Sequence, residues 1–236
     1  MTNLGKLLLL ASVVIAAPSL ASAADLPARM PAKAPAYVAP AAFSWTGFYI
    51  GVNAGWGWSS GDGTFNGLGP VGVPVSGSGD GFLGGGQIGY NWQTGPVVFG
   101  LETDFQGSAG KGDLNGSAGG VAITGGSLKT PWFGTIRGRL GYAWDRWMVY
   151  ATGGGVYGHL DYSGTLSTTG AFSNSTDYWT WTVGGGVEAA LWDRWSAKVE
   201  YLYVATPDSF PVPPGTTSAD GTINTNIVRV GLNYRF

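Results

Sequence analysis

The chain has 236 residues, a formal net charge of −2, 42 glycines, 13 prolines, 32 aromatic residues (11 Trp, 11 Tyr and 10 Phe) and no cysteine, and only 11% of it is charged. Without cysteine there is no disulfide framework, thiol chemistry or cysteine-based zinc site, and a hydrophobic content of 44% is too high for a disordered chain. A slightly negative charge with no basic cluster speaks against nucleic acid as a partner, and this much glycine, at about 1 kcal/mol per helix-interior position, speaks against an ordinary helical enzyme.

Residues 1–23 have the pattern of a secretory signal peptide. Lys6 precedes an apolar run from Leu7 to Ala17, and Ala21-Ser22-Ala23 supplies an A-x-A cleavage site, so the mature chain is expected to begin at Ala24. The run is too short for a membrane-spanning helix, and no run of about 18 apolar residues follows it. Residues 24–44 carry Pro27, Pro31, Pro35 and Pro40 among alanines. That spacing forbids a stable helix and predicts an extended periplasmic tail.

From residue 45 onward the pattern has period two, which means strands with two different faces. Eight segments carry it: 47–59, 81–93, 97–108, 131–143, 147–160, 179–191, 195–204 and 226–236. In the first, Phe48, Ile50, Val52, Trp56 and Trp58 share one parity while Tyr49, Gly51, Asn53 and Gly55 share the other. Only 147–160 has no clear parity. Short turns are expected at 94–96, 144–146 and 192–194, and long polar loops at 60–80, 109–128, 161–178 and 205–223. The WDRW at Trp144–Trp147 recurs at Trp192–Trp195, so the unit is strand, long loop, strand, short turn. Four such units over 45–236 predict an all-β fold, an eight-stranded antiparallel up-and-down transmembrane β-barrel.

Charge parity chooses lipid over water as the surrounding solvent. A soluble barrel puts apolar residues inside and charge outside. Here Glu102, Asp104, Arg137, Arg139, Glu188, Lys198, Glu200 and Arg229 share the parity of the small residues, opposite the bulky apolar ones. Four acids and four bases facing a narrow lumen are expected to pair there, because buried charges need partners. The aromatics fall into two sets. Phe48, Tyr90, Trp92, Tyr142, Trp144, Trp147, Trp192, Trp195, Tyr234 and Phe236 lie towards the short turns, and Trp56, Trp58, Phe105, Trp132, Trp179, Trp181, Tyr201 and Tyr203 lie towards the long loops. Two belts suit the two membrane interfaces.

Other motifs read as structural. Gly84-x-Gly86-x-x-Gly89 and Gly153-x-Gly155-x-x-Gly158 match a dinucleotide fingerprint, but each lies within a strand with no helix to follow. His159 is the only histidine, and Asp161 and Ser163 are its nearest candidates for a hydrolytic triad. With Tyr157 and Tyr162 it could instead offer ligands to haem iron. The ordinary reading is a polar residue at a barrel rim. Asp62, Asp80, Asp113, Asp161, Asp177, Asp208 and Asp220 face Lys111 as the main base of the loops, without calcium-loop spacing. No catalytic residue, cofactor or metal site is expected.

The segments SWTGFYIGVNAGWGW (44–58), GGGQIGYNWQ (84–93), TIRGRLGYAWDRWMVYATGG (135–154) and VRVGLNYRF (228–236) are similar to those of the small alphaproteobacterial outer-membrane β-barrel proteins, a group of surface antigens and haemin-binding proteins within the OmpA-like superfamily. The resemblance implies location in the outer membrane amid lipid and lipopolysaccharide, and insertion by the barrel-assembly machinery. Val230, Leu232, Tyr234 and Phe236 match the C-terminal assembly signal of such proteins. No haemin motif can be matched residue by residue. The expected function is therefore a non-enzymatic, envelope-stabilising, surface-exposed barrel. The alternatives are a narrow channel for small solutes and the binding of host or surface ligands, haemin included, through the loops.

Overall fold

The computed structural model describes residues 43–67, 72–168, 170–205 and 216–236. The expected signal peptide, nearly all of the expected tail, and Asp208 lie outside them. The described residues form nine strands: β1 (Gly47–Asn66), β2 (Val73–Thr94), β3 (Val97–Ser108), β4 (Lys111–Ala118), β5 (Val121–Trp144), β6 (Trp147–Leu166), β7 (Gly170–Trp192), β8 (Trp195–Val204) and β9 (Ser218–Arg235). β3 and β4 both lie between β2 and β5, one above the other, so together they make a single stave interrupted at Ala109 and Gly110. Every neighbouring pair is antiparallel. The ring closes where β1 pairs with β9 from Tyr49↔Arg235 to Asn66↔Ser218, leaving eight staves and a closed sheet. Closure is what allows a sheet to stand in lipid with its backbone groups paired.

At one end the staves are joined by tight turns. Gly95, Asp145 and Asp193 each take a left-handed backbone there, with φ of 59°, 51° and 36°. Hairpin turns of two residues need this conformation, and glycine or aspartate tolerates it.

The other end departs from expectation. Among the described residues, the stretches 60–80, 109–128 and 161–178 are mostly strand. β1, β2, β4, β5, β6 and β7 run on through them in hairpin register, for example Phe65↔Val73 and Leu166↔Gly170. In 205–223, β9 already begins at Ser218. The reason is an inverted pattern. Above the second aromatic belt the polar residues Ser60, Asp62, Ser76, Ser78, Asp80, Lys111 and Asp113 face outward, while Phe65, Val73, Val75, Val121, Ile123 and Leu166 pack together inside, with Leu114 and Phe172 against them. The serine and aspartate of these stretches are the outer face of strands standing in water, and the glycines between them face inward.

Within the lower span the faces follow charge parity. Phe48, Ile50, Val52, Ile88, Leu101, Ile136, Leu140, Val187, Val199 and Val230 lie exposed on the outside. The undecided segment 147–160 turns its even positions inward, with Met148, Tyr150, Thr152 and Val156 all buried.

Candidate functional site: a charge-sealed lumen

The bore is filled in layers. At the tight-turn end Trp45, Val98, Ala143, Met148, Tyr150 and Ala190 form a buried apolar cluster, and Phe43 packs on it. Arg235 lies over the rings of Phe43 and Trp45, 4.3 and 4.9 Å from their centroids, and donates to the Ser44 carbonyl at 3.0 Å. The chain therefore engages the barrel mouth from Phe43 onward, before the first strand begins.

Above this plug lie the eight charged residues singled out by parity, each no more than 5% exposed. The strand register sets two ion pairs directly, Glu102↔Arg137 between β3 and β5 and Glu200↔Arg229 between β8 and β9, and puts Glu188 opposite Lys198 between β7 and β8. Further ion pairs cross the bore between staves that are not neighbours. Lys198 Nζ reaches Glu102 Oε2 at 2.8 Å, Arg229 Nη2 reaches Asp104 Oδ2 at 3.0 Å, and Arg137 Nη1 reaches Glu200 Oε1 at 3.2 Å. Arg139 Nη2 holds Glu188 Oε2 at 2.7 Å. Each carboxylate also accepts from a neutral donor: Tyr49 on Glu102, Thr135 on Asp104, Ser196 and Asn233 on Glu188, and Tyr150 on Glu200. Charges this far from water need that degree of pairing, since an unpaired one costs several kcal/mol.

Neutral members of this network were not singled out from the sequence. Tyr49 is 2% exposed, accepts from Arg139 at 2.8 Å and donates to Glu102 at 2.8 Å. Tyr150 sits beneath the Arg139 guanidinium, 3.9 Å from ring centroid to Cζ. Asn53, Gln87 and Asn233 continue the polar chain: Asn53 donates to Gln87, Gln87 to Asn233 and Asn233 to Glu188. Their parity alone could have found them. Both tyrosines need a bare wall opposite. A Cβ at Gly89 would stand 2.3 Å from the Tyr49 hydroxyl, and one at Gly186 2.7 Å from that of Tyr150. Gly89 is the last glycine of the first dinucleotide-like motif, which lies wholly inside β2.

Above the ionic layer Leu83, Phe133, Val156, Leu202 and Ile227 form another apolar cluster. The bore thus alternates apolar, ionic and apolar.

On the outside, both aromatic belts are present. Phe48, Trp92, Tyr142, Trp144, Trp147, Trp192 and Phe236 are exposed near the tight turns, and Trp56, Trp58, Phe105, Trp179, Trp181 and Tyr201 near the other edge. Val230, Leu232, Tyr234 and Phe236 line the outer face of β9, with the rings of Tyr234 and Phe236 5.3 Å apart. His159 lies on the outer face at the edge of the upper belt, stacked on Trp132 at 6.0 Å. Its Nδ1 is 2.6 Å from Asp177 Oδ1 and its Nε2 3.5 Å from Asp161 Oδ1. The hydrogen bond to Asp177 raises the His159 pKa. Both ring nitrogens therefore face carboxylates. Ser163, the possible nucleophile, pairs with Ser173 across the hairpin instead.

Residues 7–236 match the family model described as Outer membrane protein beta-barrel domain. The chain is 39% identical over 244 residues to the 31 kDa outer-membrane immunogenic protein of Brucella melitensis, covering 98% of this chain and 100% of that one. It is 34% identical to the 22 kDa outer membrane protein of Rhizobium leguminosarum, over 82% of this chain and 79% of that one. It is 29% identical to the 25 kDa outer-membrane immunogenic protein of Brucella abortus, over the full length of both. Closed strands, apolar outer band, paired aromatic belts and full-length relatives agree: this chain belongs to the outer membrane protein β-barrel domain family and is an integral protein of the outer membrane.

Proposed function

We propose that this protein is a sealed, non-catalytic barrel that stiffens the envelope and presents its long hairpins at the cell surface. The observation carrying this reading is the bore-crossing network around Glu102, in which Arg137 and Lys198 bind one carboxylate from staves on different sides of the lumen. Side chains that bond across the bore occupy the path an ion would take. The short turns then face the periplasm and the long hairpins the exterior, as in other outer-membrane barrels. The names of the Brucella relatives describe immunogenic proteins. We extend surface exposure, and with it antigenicity, to the hairpins of this chain.

Single-channel recording on refolded protein in a planar bilayer tests the seal. No steady conductance above the bilayer background is expected, and a steady ohmic level in the wild type would return the narrow-channel reading. We further assign Val230, Leu232, Tyr234 and Phe236 the role of assembly signal for the barrel-assembly machinery. Alternate apolar residues on the closing strand give a partner a continuous outer stripe to hold. Deleting Phe236 should lower the yield of folded, heat-modifiable barrel in outer-membrane fractions, and an unchanged yield would remove the assignment.

A further inference from the structure

The two apolar clusters of the outer half do not meet. Between them lies a cavity of about 230 Å³, with Leu83, Phe133, Val156 and Ile227 along its floor and Phe65 and Val75 in its roof. We propose that this cavity is a binding site for a small, uncharged apolar molecule, of one or two fused rings or an alkyl chain of similar bulk.

Protein interiors pack densely and leave few voids larger than a water molecule, so a cavity of this size with a mostly apolar lining suits a small apolar molecule. Water fits it poorly. A buried water needs two to four polar partners, and two of the polar side chains at this wall already have partners in the protein. Ser59 donates to the Gly79 carbonyl at 3.2 Å, and Tyr178 is hydrogen-bonded to Thr130. The carboxylates of Asp62, Asp80 and Asp220 have the parity of the outer face. An apolar cavity of about 150 Å³ stays dry and takes benzene, while pockets for drug-sized ligands begin near 300 Å³. The volume here falls between, which selects a molecule about the size of naphthalene and rejects a large macrocycle.

The bareness of the wall creates the space. Glycines of β1, β2 and β4 line one side, and at most of them a Cβ would strike the adjoining strand, as at Gly61 and Gly81. Gly57 differs. A Cβ there meets only ordinary contacts, the nearest being the Leu83 side chain at 3.4 Å and Ile227 at 3.6 Å. Side chains that would fill the cavity are therefore absent at a position that could carry one. The ionic layer lies beneath the floor, so the site is blind towards the tight-turn end. It captures a molecule and does not pass it through the membrane. Only this blindness rests on the sealed-lumen reading, and the cavity itself does not.

Naphthalene is the probe. It is titrated into the refolded full barrel in detergent micelles while methyl resonances are followed by NMR. Saturable shifts are expected at Leu83, Val156 and Ile227, and shifts that only track micelle loading at Val187 and Val199 on the outer face. Gly57→Leu and Val156→Phe both fill the cup and should abolish the saturable component. Either variant alone is sufficient if the other fails to fold. Absence of a saturable shift in the wild type overturns the proposal, and so does a saturable shift that persists in a folded filled variant. A barrel that conducts yet binds naphthalene would end the sealed-lumen reading and leave this site standing.

Discussion

The lower and upper parts of this one barrel wall obey opposite rules. Between the aromatic belts, Val187 and Val199 face out and Glu188 and Lys198 face in, one residue apart on the same strands. Above the upper belt, Ser76 and Asp80 face out while Val75 and Val73 are buried inside. The backbone is the same, with continuous strands and continuous register. Only the surrounding solvent changes. Lipid accepts large apolar side chains without cost and forces charge into the bore, where it survives only if paired. Water accepts serine and aspartate and drives the apolar residues inward. The inversion point marks the membrane boundary more sharply than the strand ends do.

The largest effect should come from breaking the ionic layer. Arg137 is fully buried and pairs with Glu102, Asp104 and Glu200 from a stave adjoining only the first two. Arg137→Ala leaves three carboxylates short of a partner, and losing one member of a buried pair costs ~3–5 kcal/mol. The unfolding midpoint of the refolded barrel in urea should fall accordingly. If it stays where it was, the charges do not hold the lumen together.

The contrast between the two parts can be tested with one kind of substitution. Val199→Lys puts a charge on the outer face between the belts, where ~2–4 kcal/mol is expected near the bilayer midplane. Ser76→Lys puts the same charge on the outer face above the belt, where a surface change stays within about 0.5 kcal/mol. Measured side by side in lipid bilayers, the two costs should differ by at least a factor of four. Equal costs would mean that the apolar span extends to Ser76 or does not include Val199.

This contrast also explains which parts of the structure were legible in the sequence. The lower staves could be read because bulky aliphatics and aromatics alternate there with a few conspicuous charges. Glu102, Arg137 and Glu200 could be placed in the lumen on parity alone, and the register brings them together. The upper staves looked like loops because they are made largely of glycine on the inside and serine and aspartate on the outside, which are also the residues of turns. The inward signal was thin, single valines or isoleucines two residues apart, as at Val73–Val75 and Val121–Ile123. Tyr49 and Tyr150 were hidden for another reason. Tyrosine suits a membrane belt as well as a lumen, and only the bare wall at Gly89 and Gly186 shows which role each has. The cavity could not be read at all, since it depends on how far apart two clusters from six staves come to rest.

The smallest expected effect lies where the two regimes meet. His159 sits at the rim on the outer face, with Asp177 and Asp161 about its ring, and Lys129 opposite Asp161 in the register with β5. Its pKa is raised from 6.5, first by the hydrogen bond to Asp177, and that of Asp177 is lowered from 3.8, first by the same bond. The signs follow from linkage. The contribution of His159 is fully present below about pH 6.5 and is lost as pH rises through its raised value. That of Asp177 is present above about pH 3.8 and is lost as pH falls through its lowered value. The pair therefore favours the β6–β7 hairpin most between these limits. An NMR titration should place His159 above its ordinary value, and Asp177→Asn should bring it back towards 6.5. Amide exchange at Asp161 and Ser175, the pair two residues along in register, should quicken as pH climbs past the His159 midpoint by more than the intrinsic base-catalysed trend. The same pH step should leave the amides of Val187 and Val199 on that trend, because no water-exposed titrating group holds the wall between the belts. If these amides quicken as much as those at the rim, the two parts of the wall open as one unit and the boundary drawn here is not an energetic one.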